Sequence, residues 1–299
     1  MTWAGLVAAL FLAAPGCTWS DPLLTRRDAA AFDTALDTPN DGLIDAGNDG
    51  ANDGGLACPK PTPPTHSSSL DEGLVAWYRC EMATGPAETT LPDSSPNGRD
   101  GLLVTGAATG MGMGGAPGYT FTPGKVGAAL SLNDGRQGYV ALPAGVLSDA
   151  CEATLAVWVY LNSSTNAWGR IWDFGQDTNV YMFLTPTNNI SNVAKFAISI
   201  HGNTSEQVVN APMPLAALKW SHVAVVLGAS GGTLYLDGAV VGTNPAMTLR
   251  PIHLGRTANN YIGRSQFSAD PYLDASIDEL RLYNRALSQE EIQALAGIL

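Results

Sequence analysis

From Leu70 to the C-terminus the chain alternates apolar and polar residues in short runs, separated by clusters of Gly, Asn, Asp and Pro. That period of two is the signature of half-buried β-strands. Leu74 to Tyr78, Tyr139 to Leu142, Thr154 to Tyr160, Arg170 to Phe174, Val180 to Leu184, Lys195 to Ile200 and Ser221 to Leu227 show it most clearly. Thr233 to Leu236 and Ala239 to Gly242 flank Asp237-Gly238, a two-residue connection suited to a type I′ turn because both central residues accept positive φ. Ser276 to Tyr283 predicts a last strand that runs into Leu287-Ser288-Gln289-Glu290-Glu291-Ile292. There Ser288 and Glu291 have the spacing of a capping box, and Leu287 can staple against Ile292, so one short helix is expected. With helical periodicity absent elsewhere, a parallel α/β sheet is excluded. The pattern predicts an all-β, two-sheet antiparallel sandwich.

Upstream of Leu70 the pattern is different. Val7 to Ala14 is an apolar run too short to span a bilayer and reads as the core of a signal peptide. The following Ala14-Pro15-Gly16-Cys17 resembles the lipobox of bacterial lipoproteins, which implies acylation of Cys17 and, with Thr18 next, an outer-membrane or secreted envelope location. Residues 18 to 69 form a spacer: Asp28, Asp33, Asp37, Asp41, Asp45, Asp49 and Asp53 recur among Gly, Asn, Ala and Thr, and apolar residues are too few to offset the entropy of ordering. The Asn-Asp-Gly triplets there fail the calcium-loop template, because Pro39, Gly47 and Ala51 fall where a second ligand is required. Pro59, Pro61, Pro63 and Pro64 form a stiff neck.

Charge narrows the partners. The chain of 299 residues carries a net charge of −12, with only 15 Lys plus Arg, which excludes nucleic acid. Eight Asp against three basic residues between Asp21 and Lys60 put −5 of that charge in the spacer, so the globular part is only mildly acidic.

Several segments of the globular part are similar, in order, to the laminin-G-like jelly roll of the concanavalin-A-like lectin/glucanase superfamily. Gly73-Leu74-Val75-Ala76-Trp77-Tyr78-Arg79 resembles its first strand, Asp93-Ser94-Ser95-Pro96-Asn97-Gly98-Arg99-Asp100-Gly101 its Asp-x-Ser-Gly-Asn-Gly loop, and Gly124-Lys125-Val126-Gly127-Ala128-Ala129-Leu130 its Gly-Lys-x-Gly-x-Ala-Leu strand. Ala156-Val157-Trp158-Val159, Trp220-Ser221-His222-Val223-Ala224, Leu234-Tyr235-Leu236-Asp237-Gly238 and Ile277 to Leu287 follow. Pro96 in place of Gly, and the additional Cys80 and Cys151, depart from the family pattern. The resemblance covers residues 70 to 299.

The resemblance implies a surface-anchored, monomeric recognition module for a glycan or glycoprotein. The alternatives are an envelope protein that binds another protein, and a glucanase-like hydrolase. It also implies a calcium ion shared by Asp93, Asn97 and Asp278; the competing reading is an Asx-type turn at Asp93 and Asn97, with Asp278 paired to Arg281 or a backbone amide. A glucanase needs two carboxylates astride a glycosidic bond. None of Glu72, Glu81, Glu88, Glu152, Glu206, Glu279, Glu290 and Glu291 sits in Glu-x-Asp-x-x-Glu, and strand alternation puts Asp278 and Glu279 on opposite faces, so the chain is expected to be non-catalytic. His66, His201, His222 and His253 lack metal-pair spacing, and His222 reads as structural. Trp168, Tyr261, Phe267 and Tyr272 lie in Asn-, Ser- and Gly-rich stretches and are the candidate sugar-stacking rings, whereas Trp77, Trp158 and Trp220 read as core. With Cys17 acylated, a Cys80–Cys151 disulfide is expected because both sit at strand edges; in the alternative, Cys58 ties the neck to the domain.

Overall fold

The computed structural model describes residue 58 and residues 69–85, 89–106, 117–164 and 167–297. Cys17, the signal segment 1 to 17 and all of the spacer 18 to 69 except Cys58 and Ser69 lie outside the described residues. Among the described residues sixteen strands and one α-helix follow one another: β1 (Leu74–Tyr78), β2 (Thr90–Leu91), β3 (Gly101–Thr105), β4 (Tyr119–Pro123), β5 (Ala128–Leu132), β6 (Gly138–Leu142), β7 (Ala153–Leu161), β8 (Trp172–Gly175), β9 (Tyr181–Thr185), β10 (Lys195–Ser199), β11 (Gln207–Asn210), β12 (Trp220–Gly228), β13 (Gly231–Leu236), β14 (Ala239–Asn244), β15 (Asn259–Ile262), β16 (Ala275–Tyr283) and α1 (Gln289–Leu295).

The strands form two antiparallel sheets. The first runs β14-β13-β12-β7-β16-β5-β4, with β1 also paired to β16, and the second runs β11-β10-β9-β8-β15-β6-β3-β2. Alternation sorts side chains between the interior and the two outer faces. On β7, Leu155, Val157 and Val159 enter the interior, where Trp172, Phe174 and Phe196 of the second sheet meet them. Trp172, fully enclosed there, lies 5.5 Å from the Phe174 ring and 5.9 Å from that of Phe196.

Local chemistry sets the connections. Asp237 and Gly238 adopt φ of 48° and 76°, the left-handed pair that a type I′ turn demands. At α1, Ser288 Oγ accepts from the Glu291 amide, Glu291 Oε2 accepts from the Ser288 amide, and Leu287 and Ile292 pack in one buried cluster on the outer face of the first sheet. The predicted capping box and staple are both formed. No helix among the described residues is long and apolar enough to cross a membrane.

Two sequence expectations are corrected. The disulfide joins Cys58 to Cys151, with Cα atoms 5.4 Å apart, and Cys80 is a free, buried thiol. Cys80 has a left-handed φ of 58° and turns into the sandwich interior, while Cys151, in the bend that precedes β7, is bonded to Cys58. Burial drives its thiol pKa far upward. Secondly, β16 does not keep a period of two. A bulge between Asp278 and Arg281, with Glu279 at φ 51°, shifts the phase: Ala275 and Ile277 before it and Leu280 and Leu282 after it all face the interior. Asp278 and Glu279 therefore both lie off the interior rather than on opposite faces.

Candidate functional site

The outer face of the second sheet carries a groove of about 280 Å³. Strand register places Phe183 of β9, which lines the groove, between Asp173 of β8 and Ala197 of β10. Trp168, Phe267 and the highly exposed Ile190 form its apolar walls, and Lys195, Glu206 and Asp270 line it with charge.

Trp168 is held in an unusual way. Its φ is 64°, a region a bulky residue adopts only when its surroundings enforce it. Here its amide donates to the Thr187 carbonyl at 3.0 Å, and its indole Nε1–H donates to Asn189 Oδ1 at 2.6 Å. The loop below is tied by Thr185, whose hydroxyl lies 2.7 Å from the Gly169 carbonyl and 2.9 Å from that of Thr187. The result is a half-buried indole fixed at the rim.

Beneath it, Arg170 is buried with its guanidinium 3.9 Å from the centre of the Phe183 ring. Each of its three nitrogens donates: Nε to Asp173 at 3.3 Å, Nη1 to the Trp168 carbonyl at 2.7 Å and Nη2 to Asp270 at 2.6 Å. Asp173 is fully buried, its Oδ2 also accepts from the Gln266 amide at 3.1 Å, and its Oδ1 has no partner. Burial pushes its carboxyl pKa up to about 6 against the opposing pull of Arg170. Across the groove Glu206 takes the Lys195 ammonium at 2.5 Å and the Tyr181 hydroxyl at 2.8 Å. Each carboxylate of the groove is thus paired to a cation.

Of the four candidate rings, Trp168 and Phe267 come together in the groove. Tyr261 and Tyr272 lie in a separate cluster, where Tyr261 meets Tyr139 edge-on at 5.5 Å and Tyr272 meets it at a tilt at 5.9 Å, and Arg264 lies over Tyr139 and Tyr261. Sequence reasoning missed Arg170, Phe183, Ile190, Lys195, Asn203, Glu206 and Asp270. The one legible signal was Arg170 three residues before Asp173, a charged pair inside an otherwise apolar stretch.

The tryptophans read as core are elsewhere. Trp77, Trp158 and Trp220 stand on the outer face of the first sheet, where Trp158 pairs across strands with His222, and Trp220 with Tyr160. His222 is buried, and desolvation lowers its pKa to about 4.

The residues expected to share calcium do not make one donor set. Asp93 Oδ1 accepts from the amides of Trp77 and Ser95, and Oδ2 from the Arg99 amide and the Ser95 hydroxyl, each at 2.8 Å. Asn97 turns its Nδ2 donors onto the carbonyls of Leu74 and Val75. Asp278 Oδ2 accepts from the Val126 amide at 2.8 Å, while its buried Oδ1 has no partner. Asp93 makes the Asx turn, and both of its oxygens accept from N–H and O–H donors. Among the described residues no group of three or more His, Cys, Asp and Glu side chains is gathered for a metal.

A laminin-G family profile, described as the Concanavalin A-like lectin/glucanases superfamily, matches residues 134–293. No curated protein matches the chain. Among solved structures the chain is similar to domain 4 of AbnA, a GH43 extracellular arabinanase from Geobacillus stearothermophilus in complex with arabinotriose. That likeness has a TM-score of 0.60 at 23% identity and covers 75% of this chain and 98% of that domain. It is also similar to the binding domain of botulinum neurotoxin serotype D/C (TM-score 0.56, 14% identity, 77% of this chain and 53% of that one). A third likeness is to the Trypanosoma rangeli sialidase in complex with 2,3-difluorosialic acid (TM-score 0.54, 17% identity, 75% and 33%). The chain spans about half of the neurotoxin binding domain and a third of the sialidase. At these identities the likeness is one of fold.

Proposed function

The chain belongs to the laminin-G-like family of the concanavalin A-like lectin/glucanases superfamily, and from that premise we propose that its jelly roll is a non-catalytic recognition module. It binds an uncharged saccharide unit of a glycan or glycoprotein in the Trp168 groove. The observation that carries this reading is the strained, doubly tethered Trp168 beside Phe267 and Phe183: a pre-set aromatic wall on which the apolar face of a sugar ring can stack, with charged groups at its edge for the hydroxyls. The groove has the size of a small-ligand site. The carbohydrate-bound arabinanase domain, covered almost end to end by this fold, supports the same class of ligand.

The pairing of the groove's carboxylates supports a binding role over a hydrolytic one. Retaining and inverting glycosidases need one protonated acid and one free carboxylate facing the scissile bond. Here Asp173 and Asp270 are engaged by Arg170, and Glu206 by Lys195. The Cys58–Cys151 disulfide supports an oxidising compartment, and with it envelope display through Cys17 and the spacer.

Calorimetric titration of the full chain with neutral oligosaccharides, including arabino-oligosaccharides, tests the reading. Binding is expected, and Trp168→Ala should abolish it, a loss of at least about tenfold. Binding that survives Trp168→Ala, or release of reducing ends from the bound glycan, would overturn it.

A further inference from the structure

The opposite side of the sandwich holds a second cleft, of about 420 Å³, between the outer face of the first sheet and the C-terminal end of α1. Two indoles form its floor, and both carry cations. The Arg281 guanidinium lies 4.0 Å from the centre of the Trp77 ring and the Lys125 ammonium 4.2 Å from that of Trp158. The bulge in β16 aims Glu279 between them, where its Oε2 accepts from Trp77 Nε1 at 3.0 Å and from Arg281 Nη2 at 2.9 Å.

Two of the cleft's cations are only loosely held. Arg79, about half exposed, reaches Glu279 only at 3.7 Å and Glu81 at 3.6 Å, and Lys125 makes no ion pair among the described residues. Arg281 is held by Glu279, and Arg79 lies loosely between Glu279 and Glu81, which leaves the exposed Lys125 as the cation of the lining without an ion pair among the described residues. The Gly124-Lys125-Val126-Gly127 turn that presents Lys125 is itself fixed. The Gly124 amide donates to the Gly127 carbonyl, the Val126 amide to Asp278, and Gly127, at φ 62°, lets the Glu81 carboxylate approach and cap the Ala128 amide. The wall includes His222, whose buried Nδ1 has no hydrogen-bond partner.

We propose that this cleft is a second binding site, independent of the Trp168 groove, for a saccharide bearing a carboxylate or sulfate. The anion meets Arg79 and Lys125, neither of which must leave a tight ion pair to receive it. The cleft's volume lies within the range of small-ligand sites. The groove on the other face has no loosely held cation, so the two sites select ligands of different charge.

Full-length protein with ¹⁵N-labelled indoles, titrated with tri-galacturonate and with a sulfated disaccharide, tests this. The Trp77 and Trp158 indole N–H resonances should shift saturably with one or both, while that of Trp168 stays in place. Which of the two saturates distinguishes carboxylate from sulfate recognition. Lys125→Glu and Arg79→Glu, both at surface side chains, should each weaken the affinity at least about tenfold, with melting curves to confirm folding. The proposal is overturned if neither ligand gives a saturable shift, if the shift falls on Trp168, if both variants bind as the parent does, or if a Glu-rich peptide binds the cleft and the saccharides do not.

Discussion

The two outer faces of the sandwich solve the same problem differently. Each sheet has one face in the shared interior and a second that must be covered, left polar or put to use. On the first sheet part of the second face is apolar, with Ala156, Ala224, Val226, Tyr235 and Tyr283 in one cluster, and Leu287 and the α1 residue Ile292 close over it. On the second sheet Tyr181, Phe183 and Ala197 form a smaller cluster that no helix covers, and a buried ion-pair network fills the space beside it. One face is held in part by packing a helix and the other by a buried ion-pair network, and each leaves an opening beside the element that holds it.

The sharpest way to break this comparison is to remove Arg170. The side chain is 2% exposed and is the cation shared by Asp173 and Asp270, so Arg170→Ala leaves a buried carboxylate without its counter-ion. Unfolding free energy measured in urea should fall by about 3–5 kcal/mol, the range for breaking one side of a buried pair. Joint replacement by Arg170→Met and Asp173→Leu should recover most of it. A loss below about 1 kcal/mol, the worth of a surface pair, would mean that the network does not hold the face.

Protonation gives a second contrast, of opposite sign on the two faces. Asp173 has its pKa raised from 3.8 to about 6 by burial, so the native state holds a proton that the unfolded chain has released between those values. Its contribution to stability is complete below about pH 4 and is lost as the pH rises through 6. His222, on the first sheet, is lowered from 6.5 to about 4, so its burial as the neutral form favours the native state increasingly from pH 4 to 6.5. The two partly cancel in the parent protein. Asp173→Asn should uncover the rise due to His222: between pH 4 and 7 the variant should gain up to about 3 kcal/mol relative to the parent. Parallel stability profiles for the two would sink the assignment.

How much was legible in the sequence also differs between the faces. The alternating strands, the Asp237-Gly238 turn and the Ser288 capping box could be read because each depends on residues a few positions apart. The groove could not, since Arg170, Phe183, Lys195, Glu206 and Asp270 come from separate strands and loops that only the folded sheet brings together. Only Trp168 and Phe267 stood out, as rings in polar surroundings. Trp77 and Trp158 read as core because each sits inside an apolar strand run; in β7, where eight of nine residues are buried, alternation cannot tell interior from covered exterior. The bulge at Glu279 and the inward turn of Cys80 both depend on left-handed backbone at residues other than Gly, which carries no strong sequence signal.

The smallest effect isolates the helix that distinguishes the first face. α1 has only seven residues, too few to persist in water alone, so it depends on Leu287 and Ile292 below it and on its cap. Ser288→Ala removes the acceptor for the Glu291 amide but leaves Glu291 free to keep its two contacts with Arg285, at 2.7 and 3.0 Å. The expected cost is therefore that of the cap alone, about 1 kcal/mol, and Ser288→Gly should cost only a few tenths of that scale because Gly also suits the N-cap. Hydrogen exchange should quicken at the α1 amides and stay unchanged in β8, β9 and β10, since no element of the second sheet leans on the helix. If exchange in those strands quickens as well, the two faces are not independently stabilised, and the separation between a helix-covered face and an ion-paired one fails with it.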